Sequence, residues 1–419
     1  MERLRATYLI ETPLPVAKAA EVLAGEQSSG TFVTVPGETA ELRDRFRARV
    51  EHVAERETVP EPSLPGSRSG TGFHRAEVTV SWSVENFGHN LPTLVSTVCG
   101  NLYELREFSG LKLIDLTLPP SFEHAFAGPR FGVTGTRRLT GRAQGPMIGT
   151  IIKPSVGLTP QQTAAFVEQL ATAGIDFVKD DELMANPPHS PLRDRVDAVM
   201  RVVNQVADRT GKRVMYAFNI SDEADEMRRH HAYVRAAGGT AVMVSLNSVG
   251  LAGVKRVCDE GTLAVHGHRN GWGALNRHPL LGIGFGAYQK LWRLAGVDHL
   301  HVNGIANKFW ESDDSVVASI AACQAPLFAN GRDDRALPVV SSGQTGLQAP
   351  ETYRRTRTTD LLYMAGGGIM AHPGGPAAGV AALRQAWDAA TAGIPLPDYA
   401  KDHEPLRQTL EKFGGGGAS

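Results

Sequence analysis

From residue 146 onward one pattern recurs along the chain. A short apolar run ends in polar residues and is followed by roughly 15–30 residues with helical periodicity. The runs are PMIGTIIKP (146–154), GIDFVKDDE (174–182), RVMYAFNIS (213–221), TAVMVSLNS (240–248), TLAVHGHRN (262–270), DHLHVNG (298–304), ALPVVSSG (336–343) and DLLYMAGGG (360–368). Between the first two, Thr159 is placed to cap the N-terminus of a helix and Gly174 to end it. Strand and helix signals in alternation predict parallel strands with crossover helices. Eight such units are the number that closes a (β/α)₈ barrel. An open doubly wound sheet is the structural rival, but no GxGxxG follows the first strand.

The first 125 residues read differently. RATYLIET (5–12), RAEVTVSWSV (75–84) and LKLIDLTL (111–118) alternate with period two and predict strands. Residues 38–56 are charged with helical spacing, and 91–102 are apolar enough for a buried helix. The Pro/Gly/Ser-rich stretch 59–72 reads as a surface loop. This order predicts a small α+β domain with helices on an antiparallel sheet. The expected division is therefore an N-terminal domain over 1–125, a TIM barrel over 126–410 and a flexible glycine-rich tail over 411–419.

Composition narrows the function classes. Lys+Arg (43) and Asp+Glu (44) nearly cancel in the 419 residues, so no global basic field exists to hold nucleic acid or an anionic membrane. The N-terminus lacks the apolar core of a signal peptide, and no apolar run approaches the ~18 residues of a membrane span. Three cysteines, Cys99, Cys258 and Cys323, form no CxxC and fit a reducing, cytoplasmic setting.

The chemistry-bearing residues gather at the strand ends, where a barrel keeps its active site. FVKDDE (177–182) is the densest cluster. Lys179 and Asp181 are two apart and share a strand face; Glu182 follows where the strand ends. Two carboxylates there make an oxygen-rich site for Mg²⁺. The lysine has two readings from the residues alone. It neutralises the carboxylates as a salt bridge, or it loses its proton on burial and adds CO₂ as a carbamate. Lys153, at the end of GTIIKP, is either a proton carrier or a lysine that snorkels to solvent. SSG (341–343) and AGGG (365–368) end the seventh and eighth strands, where such barrels bind phosphate on backbone N–H groups; glycine runs also serve as plain turns. His266/His268 and His299/His301 are i, i+2 pairs, each on one face of its strand.

Taken in this order, the strand ends resemble those of the RuBisCO large subunit and the RuBisCO-like proteins, from about Glu26 to the helix after His372. GTIIKPSVGL resembles the family's first-strand lysine motif, and FVKDDE its carbamylated-lysine motif. The resemblance implies a ferredoxin-like N-terminal domain ahead of the barrel. It implies a carbamate on Lys179 that binds Mg²⁺ with Asp181 and Glu182. It assigns catalysis to Lys153, Lys179, His268 and Lys308. Substrate binding falls to Arg269, His301, Ser341, Gly343, Gly366 and Gly367. Glu26, Thr31 and Asn101 match residues that complete the neighbouring subunit's site, which implies a homodimer or a multiple of dimers.

The departures from the family are equally specific. Lys-Pro-Lys after the first strand is Lys153-Pro154-Ser155 here. The histidine usual near Arg269 is replaced by Trp272, the aromatic after Thr31 is Phe32, and Ser342-Gly343 stands for two glycines. One phosphate site is kept and the other degraded, so carboxylation of ribulose bisphosphate is not expected. The resemblance then implies an enediolate reaction on a phosphorylated keto-sugar acid: decarboxylation, or hydrolytic cleavage, of 3-oxo-isoapionate 4-phosphate. The alternatives are a tautomerase or isomerase of methionine salvage and a non-catalytic scaffold of sulfur metabolism.

Overall fold

The computed structural model describes residues 2–29, 36–329 and 331–415. In chain order its strands are β1 (Arg3–Thr12), β2 (Arg49–Val59), β3 (Phe73–Ser83), β4 (Gly110–Thr117), β5 (Met147–Ile151), β6 (Phe177–Lys179), β7 (Met215–Asn219), β8 (Ala241–Ser245), β9 (Ala264–His268), β10 (Leu281–Ile283), β11 (His299–His301), β12 (Leu337–Val340) and β13 (Leu362–Met364). They divide between two compact units. The first comprises Met1–Ala127, Gly271–Ala295 and Leu327–Arg332; the second comprises Gly128–Asn270, Gly296–Pro326 and Asp333–Ser419.

The first unit holds a five-stranded sheet in the order β10-β4-β1-β3-β2. Its inner face buries Leu4, Ala6, Tyr8 and Ile10 of β1 with Val78, Val80 and Trp82 of β3. The Val16–Glu26 helix contributes Ala19, Ala20 and Leu23 to the same core. Two expectations are corrected here. Residues 38–56 are not one helix: a short helix, Ala40–Phe46, gives way to strand β2 from Arg49. The sheet is also mixed rather than antiparallel, because β10 joins β4 in parallel, with Leu281 opposite Leu111. That pairing draws Gly271–Ala295 into the first unit, although the sequence division placed it with the barrel.

The second unit is a closed barrel of eight parallel strands, β5-β6-β7-β8-β9-β11-β12-β13, with β13 pairing back onto β5. Each of the eight apolar runs supplies one strand. β7 and β8 are buried at every position, as expected of strands covered on both faces. Met147, Phe177, Met215, Met243, Leu337 and Leu362 pack inside, and Val133 of the Gly132–Thr140 helix joins them. The Asp298 carboxylate anchors that helix by accepting from the Phe131 and Gly132 N–H groups at 2.6 and 3.0 Å. It also accepts from the Val265 N–H at 2.8 Å. Burial raises its pKa to about 6, against the lowering effect of these backbone bonds. The helix after β5, Pro160–Thr172, starts with the expected Thr159 cap, completed by Gln162.

The last helix runs Glu404–Phe413, so the first three residues of the expected tail are helical, and residues 416–419 lie outside the described part. Among the described residues no helix is long and apolar enough to cross a membrane.

Candidate active site

At the ends of β5 and β6 two lysines meet two carboxylates. The Lys153 ammonium donates to Asp181 Oδ2 at 2.8 Å and to the Ser155 hydroxyl at 2.6 Å. Ser155, the departure from the family motif, thus takes part in the cluster. Burial pushes the Asp181 pKa up, but hydrogen bonds from Lys153, the Leu183 N–H and Ser155 outweigh it, and the net shift is downward. Lys179 is buried inside the barrel. Its Nζ lies 3.7 Å from Glu182 Oε2 and, among the described residues, donates to the Asp180 carbonyl alone, at 3.1 Å. Loss of hydration lowers its pKa to about 8, despite the raising effect of Glu182, Asp181 and Asp180. His268 Nε2 is 3.6 Å from the same Glu182 oxygen. Burial, then the Lys179 charge, lowers the His268 pKa to about 4.

The Glu182 Oε2 atom is buried and, among the described residues, makes no hydrogen bond. A buried carboxylate oxygen without a donor is costly unless a cation faces it. Among the described residues no three His, Cys, Asp or Glu side chains are grouped to hold a metal. Asp181 and Glu182 supply two oxygen donors, and a carbamate on Lys179 would supply a third. The donor chemistry and the unpartnered oxygen both fit Mg²⁺.

The positions of Asp181 and Glu182 are set from behind by Asn219, at the end of β7, and by Asp180, Arg195 and Tyr216, which the sequence did not single out. Asp180 turns away from the mouth. It takes hydrogen bonds from Tyr216 Oη at 2.5 Å and the Asn219 N–H at 2.9 Å, and pairs with the fully buried Arg195 at 3.1 Å. Arg195 also donates to the carbonyls of Met184, Ala185 and Ser190, which fixes the loop after β6. The Asn219 amide donates to the carbonyls of Asp181 and Glu182, each at 3.1 Å.

Across the mouth, at the ends of β9, β11 and β12, several polar groups pair with one another. Arg269 donates to Glu311 Oε2 at 2.7 Å, and both side chains are buried. Asn303 donates to the same oxygen, and the Ser342 hydroxyl donates to Asn303 Oδ1 at 2.8 Å. Asn303 and Ser342 hold φ of 63° and 75°, the left-handed region. The Ser342 value explains why glycine is usual at this position: a side chain there costs about 1–2 kcal/mol. His301 contacts the Ser341 hydroxyl through Nδ1 at 3.1 Å and His266 through Nε2 at 2.8 Å.

Gly343, with φ of 88°, lies beside the Lys308 loop, whose N–H donates to the Ser342 carbonyl at 3.2 Å. The Lys308 side chain is exposed, its Nζ 5.2 Å from the Phe309 ring centre, so the structure does not bring it to Lys153 and Lys179. Gly366 and Gly367 open the short helix after β13, and a Cβ at Gly367 would meet nothing within 4 Å. Gln344 braces this side by donating to the Ile305 carbonyl at 3.1 Å and accepting from Tyr363 at 3.2 Å.

In the first unit, Glu26 ends its helix half-buried and Asn101 is exposed. Gln27 links the two segments, accepting from the Asn101 N–H at 2.9 Å and donating to the Ser96 carbonyl at 3.2 Å. Thr31 and Phe32 lie outside the described residues. Trp272 is buried in the first unit's aromatic core, 4.6 Å from the Tyr288 ring and 5.9 Å from Phe285.

Known proteins carry the same layout. Residues 132–413 match the ribulose bisphosphate carboxylase large chain catalytic domain, and 5–122 match its N-terminal domain. A 3-oxo-isoapionate-4-phosphate transcarboxylase/hydrolase of Xanthobacter autotrophicus is 56% identical over 98% of this chain and 99% of its own. A 3-oxo-isoapionate-4-phosphate decarboxylase of Rhizobium etli is 48% identical over 98% of each. The crystal structure of a rubisco-like protein from Burkholderia fungorum superposes with a TM-score of 0.92 at 49% identity, covering 98% of this chain and 100% of that one. With both domain models matched in order and relatives at this identity spanning its length, the chain belongs to the RuBisCO large-chain family.

Proposed function

We propose that this chain is an Mg²⁺-dependent carbon–carbon lyase acting on 3-oxo-isoapionate 4-phosphate. The observation that carries the reading is the joint one: near-full-length relatives named for that compound, and a lysine–carboxylate cluster built to take a cation. The relatives' names favour it over methionine salvage and over a non-catalytic scaffold. Lys179, neutral above about pH 8, adds CO₂ and releases one proton, giving a carbamate beside Asp181 and Glu182. Mg²⁺ held by these three would act as a Lewis acid on adjacent substrate oxygens.

The chain's own residues supply the rest. Lys153, held by Asp181 and Ser155, carries a proton at the end of β5. His268, kept neutral, accepts one at the end of β9. Gly343, Gly366 and Gly367, with Thr31, let backbone N–H groups reach the phosphate. Lys308, on its exposed loop, swings to hold the carboxylate that is lost. When the carboxyl leaves a 3-oxo acid, its bonding pair moves into the enolate, and a proton then returns to carbon.

The higher identity to the transcarboxylase/hydrolase favours a second outcome, in which the carboxyl is kept: water adds to the keto carbon, the adjacent carbon–carbon bond breaks to give an acid, and the released carbanion takes a proton. Substrate labelled at the carboxyl decides between them. Decarboxylation releases one labelled CO₂ per turnover, whereas hydrolysis retains the label in an acid product. Substrate left intact in the presence of Mg²⁺ and CO₂ overturns both.

The match of Glu26, Thr31 and Asn101 to residues contributed between subunits supports a homodimer. A monomer in sedimentation velocity would contradict it. The spacing of Cys99, Cys258 and Cys323, with no CxxC, supports a cytoplasmic location, which recovery from an oxidising compartment would contradict.

A further inference from the structure

A file of buried histidines runs through the barrel from its floor to its mouth, and its hydrogen bonds have a direction. On the Gly132–Thr140 helix, Thr136 Oγ1 lies 2.5 Å from the Gly132 carbonyl oxygen. Two oxygens that close need a hydrogen between them, and only the hydroxyl has one. Thr136 Oγ1 therefore accepts from His299 Nε2, 2.7 Å away. His299 is buried and its pKa is lowered to about 3, so it is neutral and its Nδ1 is bare. That nitrogen accepts from His266 Nδ1–H at 3.3 Å.

His266, also neutral in the apolar interior against Phe177, leaves its Nε2 bare to accept from His301 Nε2–H at 2.8 Å. Burial and the neighbouring histidines keep His301 neutral too, so its Nδ1 accepts from the Ser341 hydroxyl at 3.1 Å. Ser342, 3.5 Å from Ser341, has already given its own proton to Asn303.

We infer that Thr136, at the barrel floor, fixes the tautomers of His299, His266 and His301, so that the Ser341–His301 corner of the mouth accepts hydrogen bonds and selects a substrate hydroxyl rather than a phosphate. Thr136, His299 and His266 are positioning residues that act through His301. This rests on the reading of these strand ends as the substrate site, and it adds the chemistry of one end of that site. A phosphate needs donors, and His301 offers none, since its only N–H is turned inward to His266. The neighbouring cation, Arg269, already faces Glu311.

Ring-¹⁵N-histidine-labelled protein, without substrate, tests the assignment by long-range ¹H–¹⁵N correlation, with His266→Gln and His301→Gln used to assign the signals. The expected result is His266 in the Nδ1–H form, and His299 and His301 in the Nε2–H form. His266 in the Nε2–H form, or His301 as an imidazolium near pH 7, overturns the inference whatever the enzyme's activity. Thr136→Val should release the order and raise KM for 3-oxo-isoapionate 4-phosphate roughly tenfold, as loss of one well-placed hydrogen bond does. In that variant kcat should move less, and Thr136→Ser should restore the wild-type spectrum and KM. Wild-type tautomers as assigned, with an unchanged KM in a folded Thr136→Val, would overturn the selection of a hydroxyl.

Discussion

The two sides of the barrel mouth are built on opposite principles. On the β5–β6 side, among the described residues, Lys179 is a buried amine that donates to one carbonyl and faces Glu182 Oε2 at 3.7 Å, and that oxygen accepts no hydrogen bond. On the proposed function, a cation and a carbamate complete that side. On the β9–β12 side, Arg269 is matched by Glu311, Asn303 by Ser342, and the histidines by one another. Its cation already has a carboxylate against it, so this side adds shape and hydrogen-bond direction to its field. One strand framework thus holds a site made to gain a ligand and a site made to stay neutral. On the proposed function, the second suits a substrate with a single phosphate.

The largest effect should come from the incomplete side. Lys179→Ala should lower kcat more than about 10⁴-fold, because removing a metal site forfeits several kcal/mol of transition-state stabilisation. Wild-type protein stripped of CO₂ and divalent metal should be equally inactive. Its reactivation by CO₂ should quicken as pH rises and level off above about 8, where Lys179 is mostly neutral. Stopped assays after timed preincubation measure this, and a rate independent of pH from 6 to 9 would count against carbamylation.

On the neutral side, Glu311→Ala should destabilise the fold by about 3–5 kcal/mol, since it leaves Arg269 buried against a lost partner. Denaturant unfolding reads that loss. A change under about 1 kcal/mol would mean that the pair is not what neutralises this side.

A smaller effect should separate ligand from fold. Gly367 is exposed, and a side chain there would meet nothing within 4 Å, so Gly367→Asp should leave stability unchanged. It should nevertheless raise KM for phosphorylated substrate by roughly tenfold to a hundredfold, the worth of one charge-assisted hydrogen bond of about 1.5–3 kcal/mol. An unchanged KM would remove the phosphate from this loop.

Much of this was legible because the barrel writes itself in fully buried runs with polar ends. Phe177 to Glu182 and Val265 to Arg269 show strand, strand end and chemistry in a few letters. β2 was not legible, because no residue on this charged edge strand is fully buried and two register shifts disturb its alternation. β10 is three residues long and finds its partner in β4, far back in the chain, which no local window reveals. The same holds for Glu311, whose acid meets Arg269 across 42 positions. Asp180 and Arg195 were hidden differently: spacing put Asp181 on the Lys179 face and Asp180 on the other, but it did not show that Asp180 meets Arg195, 15 positions on. The left-handed backbone at Ser342 carries no signal in a serine, though the glycine usual at that place in the family hints at it.

One measurement bears most directly on the account. Purified protein with Mg²⁺ and CO₂ is given 3-oxo-isoapionate 4-phosphate and ribulose 1,5-bisphosphate in parallel, and loss of each substrate is followed together with carbon released or fixed. The account predicts rapid consumption of the monophosphate by carbon–carbon cleavage and no fixation of labelled CO₂ into the bisphosphate. Efficient carboxylation of the bisphosphate, with the monophosphate left untouched, would contradict it.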